Sequence, residues 1–125
     1  MTMVGSSADV VRRFLDLMQA RDWPAARGCV ADDAVVVYPV TGERFSGRSW
    51  MDMNEAYPDG WVIEIAEIVD HGDRAAARVR VALGDEVSWC AGFYTTIDGR
   101  ITDAVELWTT EHGETPPEWR GPYWT

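Results

Sequence analysis

The sequence predicts an α+β fold in which helices come first and an antiparallel sheet follows. Apolar residues repeat at helical spacing between Val10 and Met18, while four long segments after residue 60 are rich in β-branched and aromatic residues. The separators between those segments each contain a glycine and are short enough for hairpin turns, which join antiparallel neighbours. At 125 residues the chain is predicted to form a single domain, 1–125, with its sheet packed against the helices.

Two helices are predicted before residue 28. Ser6 and Asp9 have the spacing of a capping box, so the first helix begins there. Its apolar face runs from Val10 to Met18. Asp22 can cap a second, shorter helix that ends near Gly28. The two helices are therefore expected to form a tight hairpin.

The middle of the chain is predicted to hold one short strand and a third helix. Ala34–Tyr38 is a β-branched run closed by a proline, and Thr41–Glu43 has the composition of a turn. Ser46 can cap a helix over Gly47–Tyr57, which a Pro-Asp-Gly sequence ends.

The second half of the chain is predicted to be a meander of strands followed by a tail. The strands are Trp61–Asp70, Arg74–Leu83, Glu86–Ile97 and Ile101–Thr110. The tail, 111–125, is too rich in proline for a regular helix and also carries several aromatic residues. Because large aromatic side chains are usually covered, we expect this tail to pack over the sheet or across a subunit boundary.

Charge and cysteine usage exclude several classes of function. A formal net charge of -10 disfavours binding to nucleic acid or to an anionic membrane surface. Cys29 and Cys90 lack metal-ligand spacing, and no phosphate-binding loop or nucleotide fingerprint is present, so we expect no metal and no cofactor. Without a recognisable signal segment, the expected location is cytoplasmic.

Three short motifs resemble those of one superfamily. They are Ala31-Asp32-Asp33-Ala34 after the helical hairpin, the 42–47 approach to the third helix, and Asp98-Gly99-Arg100-Ile101 before the last strand. Together they resemble the nuclear transport factor two-like superfamily, which includes ketosteroid isomerases and SnoaL-like polyketide cyclases. The resemblance implies a cone-shaped roll, in which a strongly curved, mostly antiparallel sheet wraps around the N-terminal helices. It also implies a ligand site at the open end of the cone and a homodimer formed through the sheet.

The residues that ketosteroid isomerases use are replaced in this chain. The resemblance matches their base to Tyr38, their oxyanion tyrosine to Phe14 and their protonated acid to about Ala91. A phenol titrates near pH ~10, far above the range of a useful base at neutrality. Steroid isomerisation by that mechanism is therefore not expected.

Glu106 is the sharpest candidate for a catalytic residue. The resemblance to SnoaL-like cyclases matches it to a carboxylate that acts in proton transfer. Strand alternation places Ala104, Glu106 and Trp108 on one face, and an apolar site there would raise the pKa of the carboxyl group. The alternatives are an ion pair with Arg78 or Arg80 on a neighbouring strand, or exposure at a sheet edge.

An aromatic pocket for a small hydrophobic molecule is predicted around this acid. Asn54 would be a polar anchor, and Tyr38 would donate a hydrogen bond to a ligand oxygen unless its hydroxyl binds a backbone carbonyl. Core packing explains the tryptophans equally well. The predicted ligand-binding residues are Tyr38, Trp50, Asn54, Tyr57, Trp89 and Trp108.

Two classes of function follow. The first is a cofactor-free isomerase, cyclase or lyase-like enzyme, in which Glu106 carries out proton transfer, cyclisation, or hydration or dehydration of a hydrophobic organic substrate. The second is a non-catalytic ligand carrier or a dimerisation or accessory module, because one fold can host both classes. Whether Glu106 faces an enclosed cavity or pairs with an arginine discriminates between them.

Overall fold

A curved, unclosed six-stranded sheet holds three helices against its inner face. The computed structural model describes residues 5–125, so the first four residues of the predicted domain lie outside the described part. The helices are α1 (Ser7–Gln19), α2 (Trp23–Arg27) and α3 (Gly47–Ala56), and a short 3-10 helix spans Glu118–Tyr123. The strands are β1 (Val30–Tyr38), β2 (Glu43–Ser46), β3 (Val62–His71), β4 (Arg74–Leu83), β5 (Glu86–Ile97) and β6 (Arg100–Thr110).

The predicted α+β fold with helices before a mostly antiparallel sheet is confirmed. The strand order is β2-β1-β6-β5-β4-β3, and four of the five neighbouring pairs are antiparallel. The fifth pair, β1 with β6, is parallel. Helix α3 and the meander lie between these two strands in sequence, and a long connection of this kind is what a parallel pair requires.

The sequence-based element boundaries miss part of the sheet next to α3. Strand β2 lies partly where a turn was predicted, and β1 begins four residues before the predicted Ala34. Four residues with the sequence Glu-Arg-Phe-Ser carry little strand signal, so β2 depends on its pairing with β1. The early part of β1 is interrupted by a register shift between Val30 and Val35. Its pattern is therefore not a regular alternation.

The helix caps are those the sequence predicts. Ser6 and Asp9 form a capping box at the start of α1, and the Asp22 side chain accepts a hydrogen bond at the start of α2. Val11 and Phe14 on the apolar face of α1 are buried against the sheet. This packing fixes α1 across the inner face and leaves space beside it for a cavity.

The C-terminal tail does not pack over the sheet of its own chain, so that part of the prediction is wrong. Trp119 is 71% exposed and Tyr123 is 79% exposed, and the 3-10 helix buries no residue. Three prolines between Pro116 and Pro122 remove backbone donors that pairing with a strand would need. Packing across a subunit boundary stays a prediction.

Within residues 5–125, no helix is both long enough and apolar enough to span a bilayer. The same residues contain no group of three His, Cys, Asp or Glu side chains arranged to hold a metal ion.

Candidate functional site

A cavity of about 310 Å³ lies between the inner face of the sheet and helices α1 and α3. Apolar and aromatic side chains make up most of its wall, including Phe14 and Trp50, whose ring centroids are 5.3 Å apart. A few polar groups from β1, β5 and β6 converge on it, among them Tyr38 and Glu106. This combination is typical of a small-molecule site.

Glu106 is buried at the inner end of this cavity and is held by two neutral donors. Its side chain is on β6 and only 4% of the residue is exposed. The Tyr94 hydroxyl donates to Oε2 at 2.6 Å, and the Trp108 indole N–H donates to Oε1 at 3.0 Å. No arginine forms an ion pair with Glu106 in the described part of the chain. Both structural alternatives for this residue, an ion pair with Arg78 or Arg80 and edge exposure, are therefore wrong.

The pairing of β5 with β6 explains how Tyr94 reaches the carboxyl group. Gly92 lies directly opposite Glu106 in the antiparallel register, and Tyr94 follows two residues later on the same face. The Tyr94 ring occupies the space above Gly92, where a Cβ atom would collide with it. The missing side chain at Gly92 thus permits the Tyr94–Glu106 hydrogen bond.

Burial sets the proton affinity of Glu106. Loss of water around the carboxyl group raises its pKa, and the hydrogen bonds from Tyr94 and Trp108, with the nearby Tyr38 and Cys90 groups, offset part of that rise because they favour the carboxylate. In the described part of the chain no arginine forms an ion pair with Glu106 that would lower its pKa. The group can therefore hold a proton at a higher pH than an exposed glutamate, as a general acid or base requires.

Tyr38 lies beside Glu106 as a hydrogen-bond donor. The Trp50 indole N–H donates to the Tyr38 hydroxyl oxygen at 2.8 Å. In the described part of the chain this hydroxyl makes no hydrogen bond to a backbone carbonyl, so that alternative is wrong. Burial and the neighbouring Glu106 carboxyl raise the pKa of Tyr38, which keeps the phenol protonated. With its oxygen accepting from Trp50, its proton is available to Glu106 or to a ligand.

The structure brings together most of the residues predicted to form the pocket. Asn54 lines the cavity from α3, and one of its amide hydrogens is donated to the Trp50 carbonyl at 2.9 Å. Tyr57 is 52% exposed where the cavity opens. The predicted residues on the cavity wall are Tyr38, Trp50, Asn54, Tyr57, Glu106 and Trp108.

Trp89 lies on the outer face of the sheet, so its predicted place in the pocket is wrong. Because Cys90 points into the cavity, its neighbours Trp89 and Ala91 point away from it. The Trp89 indole N–H donates to Glu111 at 3.4 Å, and the Arg78 guanidinium lies 5.6 Å from the ring centroid. Cys90, rather than Ala91, is thus the inward residue near the position matched to an isomerase acid.

Tyr94, the closest partner of the buried acid, was not predicted from the sequence. Gly92 and Tyr94 alternate with outward residues along β5, and this alternation was the available signal. It becomes informative only when the register between β5 and β6 is known, because that register decides which alternate residues of β5 share a face with Glu106.

Comparison with known proteins supports one assignment. The model of a family described as SnoaL-like domain matches residues 11–104. A candidate ketosteroid isomerase from Kribbella flavida DSM 17836 is 25% identical, with a TM-score of 0.86 over 99% of this chain and 93% of that one. An M. tuberculosis LEH-like epoxide hydrolase is 21% identical, with a TM-score of 0.69 over 83% of this chain and 84% of that one.

A third similar structure is that of IdmH, a candidate polyketide cyclase from Streptomyces antibioticus. It is 18% identical, with a TM-score of 0.69 over 80% of this chain and 89% of that one. Among curated proteins there is no significant match. On the family match and the shared cone fold, the chain belongs to the SnoaL-like domain family of the nuclear transport factor two-like superfamily.

Proposed function

We propose that this protein is a cofactor-free enzyme that binds a small, largely apolar organic molecule and moves a proton on it with Glu106. The observation that carries the proposal is a carboxyl group with 4% exposure, held by neutral donors and facing a cavity of about 310 Å³. Burying an ionisable group without a counter-charge is unfavourable for folding. A functional role gives a reason for its presence.

The surrounding groups suit proton transfer at a carbon next to a carbonyl. In this step the Glu106 carboxylate takes the proton from carbon, and the electron pair of the broken C–H bond moves to the carbonyl oxygen. The Tyr38 hydroxyl, polarised by the Trp50 N–H, would donate to that oxygen as its charge develops. Return of the proton from Glu106 to a different carbon completes an isomerisation. In a cyclisation the enolate carbon first bonds to a second carbonyl carbon of the substrate, and the proton goes from Glu106 to the oxygen of that carbonyl.

The similar structures agree with this class of chemistry at the level of the fold. Their names describe a candidate isomerase, a candidate polyketide cyclase and an epoxide hydrolase. We take from them only that the cone fold hosts reactions on small organic molecules, because function is set by the site and not by the fold.

The first test is a thermal-shift screen against aromatic, polyketide-like and steroid-like compounds, followed by turnover assays on the compounds that bind. A ligand at a hundred times its dissociation constant adds ~2.7 kcal/mol of stability. Glu106→Gln keeps the shape of the side chain and should lower kcat at least a hundredfold, in line with the ~10²–10⁴-fold contribution of a general acid or base. Glu67→Gln, on the outer face, is the matched control and should retain full activity. Retained activity in Glu106→Gln would refute the assignment.

A non-catalytic carrier is the second candidate, and the same cavity supports it. A carrier would bind members of the panel with no turnover, and Glu106→Gln would change affinity alone. The two candidates therefore differ in one measurement, which is product formation by the wild-type protein with its best ligands.

We also propose that the outer face of the sheet forms a homodimer interface. Val37, Val105, Phe93, Ala76 and Val69 are successive neighbours across five strands and make one apolar row. Phe93 is 53% exposed and Val69 is 57% exposed, which is more apolar surface than a monomer needs to present. Sedimentation should give a dimer for the wild type and a monomer for Phe93→Glu; a wild-type monomer would contradict the proposal.

A further inference from the structure

Among residues 5–125, the cavity wall carries carboxyl groups and no basic side chain. Glu43, Glu86 and Glu106 line it, whereas none of the arginines does. The protein has eleven basic residues, so their absence from this wall is a property of the site and not of the composition alone. The charge on the wall is therefore of one sign.

Two of these carboxyl groups mark the open end of the cavity. Glu43, at the start of β2, and Glu86, at the start of β5, are both exposed, as is the nearby lining residue Tyr57. Glu43 accepts a hydrogen bond from the Thr41 hydroxyl at 2.6 Å. In the described part of the chain neither glutamate is in an ion pair. Their negative charge thus faces whatever enters.

Aromatic rings form part of the same cavity wall. Tyr57, Trp61 and Trp108 all line the cavity, and aromatic faces attract cations. The Trp61 ring already contacts a cation, because the Arg21 guanidinium is 3.4 Å from its ring centroid. Arg21 also donates to the Trp61 carbonyl at 2.6 Å and to Asp59 at 2.9 Å. Because it is held by these groups, this guanidinium is not placed to receive an anion in the cavity.

We propose that the preferred ligand is a protonated amine on an apolar ring body, with the rings inside the cavity and the amine at one of the exposed carboxylates of its wall, Glu43 or Glu86. This proposal deepens the proposed function, on which it rests for the cavity as the binding site. An anionic ligand would have to enter past like charges into a site without a counter-ion, and the net charge of -10 repels it further. The site therefore disfavours carboxylates and phosphates as ligands.

The test compares ligands that differ only in the charge of one group. Naphthylmethylamine, naphthylmethanol and naphthoate form one set, and the corresponding biphenyl compounds form a second. Titration calorimetry should give the amine the tightest binding in both sets, roughly tenfold or more above the carboxylate at low salt. High salt should narrow that ratio, because these two carboxylates are exposed to solvent.

A paired variant identifies the groups responsible. Glu43→Gln combined with Glu86→Gln should reduce binding of the amines severalfold and leave binding of the alcohols unchanged. Glu64→Gln combined with Glu67→Gln removes the same charge from the outer face of the sheet and should preserve the amine preference.

Three results would overturn the inference. They are a carboxylate that binds as tightly as its amine, an amine preference that survives in the variant lacking both Glu43 and Glu86, and no measurable binding by any member of either set. Failure of the proposed chemistry looks different: the amine preference is intact while Glu106→Gln turns over ligands as the wild type does, or the wild type forms no product.

Discussion

Each face of the sheet has a hydrogen bond from a tryptophan to a glutamate, but the surroundings of the two glutamates differ. On the inner face the Trp108 indole donates to Glu106 at 3.0 Å, and both groups line the cavity. On the outer face the Trp89 indole donates to Glu111 at 3.4 Å in a solvent-exposed setting. The residues are alike, but only the inner carboxyl group is removed from water.

Glutamates on the two faces also differ in whether an arginine pairs with them. Glu67 on the outer face pairs with Arg78 at 3.2 Å, whereas Glu106 has only neutral donors around it. A partner of opposite charge would favour the carboxylate and lower its proton affinity. Without such a partner the pKa of Glu106 stays raised, as the proposed role in proton transfer requires.

The largest difference between the faces in the free energy of unfolding is expected when a tryptophan is replaced. Trp50 is 1% exposed, packs on Phe14 and donates to Tyr38, so Trp50→Ala should lower the free energy of unfolding by about 3–5 kcal/mol. Trp89→Ala, on the outer face, should lower it by about 1–2 kcal/mol because that side chain is only partly covered. Urea denaturation measures both values. Equal losses would contradict the distinction between a packed inner face and an open outer face.

Removal of one inner hydroxyl is the next largest effect. Tyr94→Phe deletes the donor to Glu106 Oε2 while keeping the ring, and should lower the free energy of unfolding by about 1–3 kcal/mol. Tyr57→Phe removes a half-exposed hydroxyl and should change it by less than about 0.5 kcal/mol. Gly92→Ala, which forces the Tyr94 ring aside, should resemble Tyr94→Phe. Wild-type stability in Tyr94→Phe would mean that the hydrogen bond contributes little.

Local sequence signals were sufficient for most of the fold. Ser6 and Asp22 identify the helix starts through their own side chains, and the glycine turns define the meander. The parallel contact of β1 with β6 was not predictable in this way, since its partners are about 70 residues apart, as in Val36 with Ala104. Strand β2 depends on the same tertiary context.

One bulge explains why the site was predicted only in part. Beside the turn, Ile97 pairs with Arg100, and that register continued would pair Glu106 with Ala91 and Trp108 with Trp89. The shift between Thr95 and Thr96 reflects one extra residue on β6, Thr102, which has no partner on β5, so that Gly92 and Cys90 take those places. A one-residue shift exchanges the faces of a strand. It turns Glu106 and Trp108 to the inner face beside Tyr94 and leaves Trp89 on the outer face, and no residue type in the segment indicates it.

The pH dependence of stability tests the raised pKa of Glu106 on the inner face. Burial raises the pKa of Glu106 above its unfolded value of ~4.3, so the native state binds more protons than the unfolded state between the two pKa values. The stability contributed by this group is therefore complete below pH ~4.3 and is lost as the pH rises through the folded pKa. The difference in unfolding free energy between wild type and Glu106→Gln should fall over that range. A difference that is constant with pH would refute the raised pKa.

The smallest effect is expected for the ion pair on the outer face. Glu67 and Arg78 are joined at 3.2 Å, but each side chain is more than half exposed. A double-mutant cycle of Glu67→Gln and Arg78→Ala should give a coupling energy of about 0.2–1 kcal/mol that decreases with added salt. The Tyr94→Phe and Glu106→Gln cycle should give a larger coupling that salt hardly changes, because water and ions are excluded from that pair. If both cycles respond equally to salt, the inner carboxyl group is hydrated. Neither its raised pKa nor its proposed role in proton transfer would then hold.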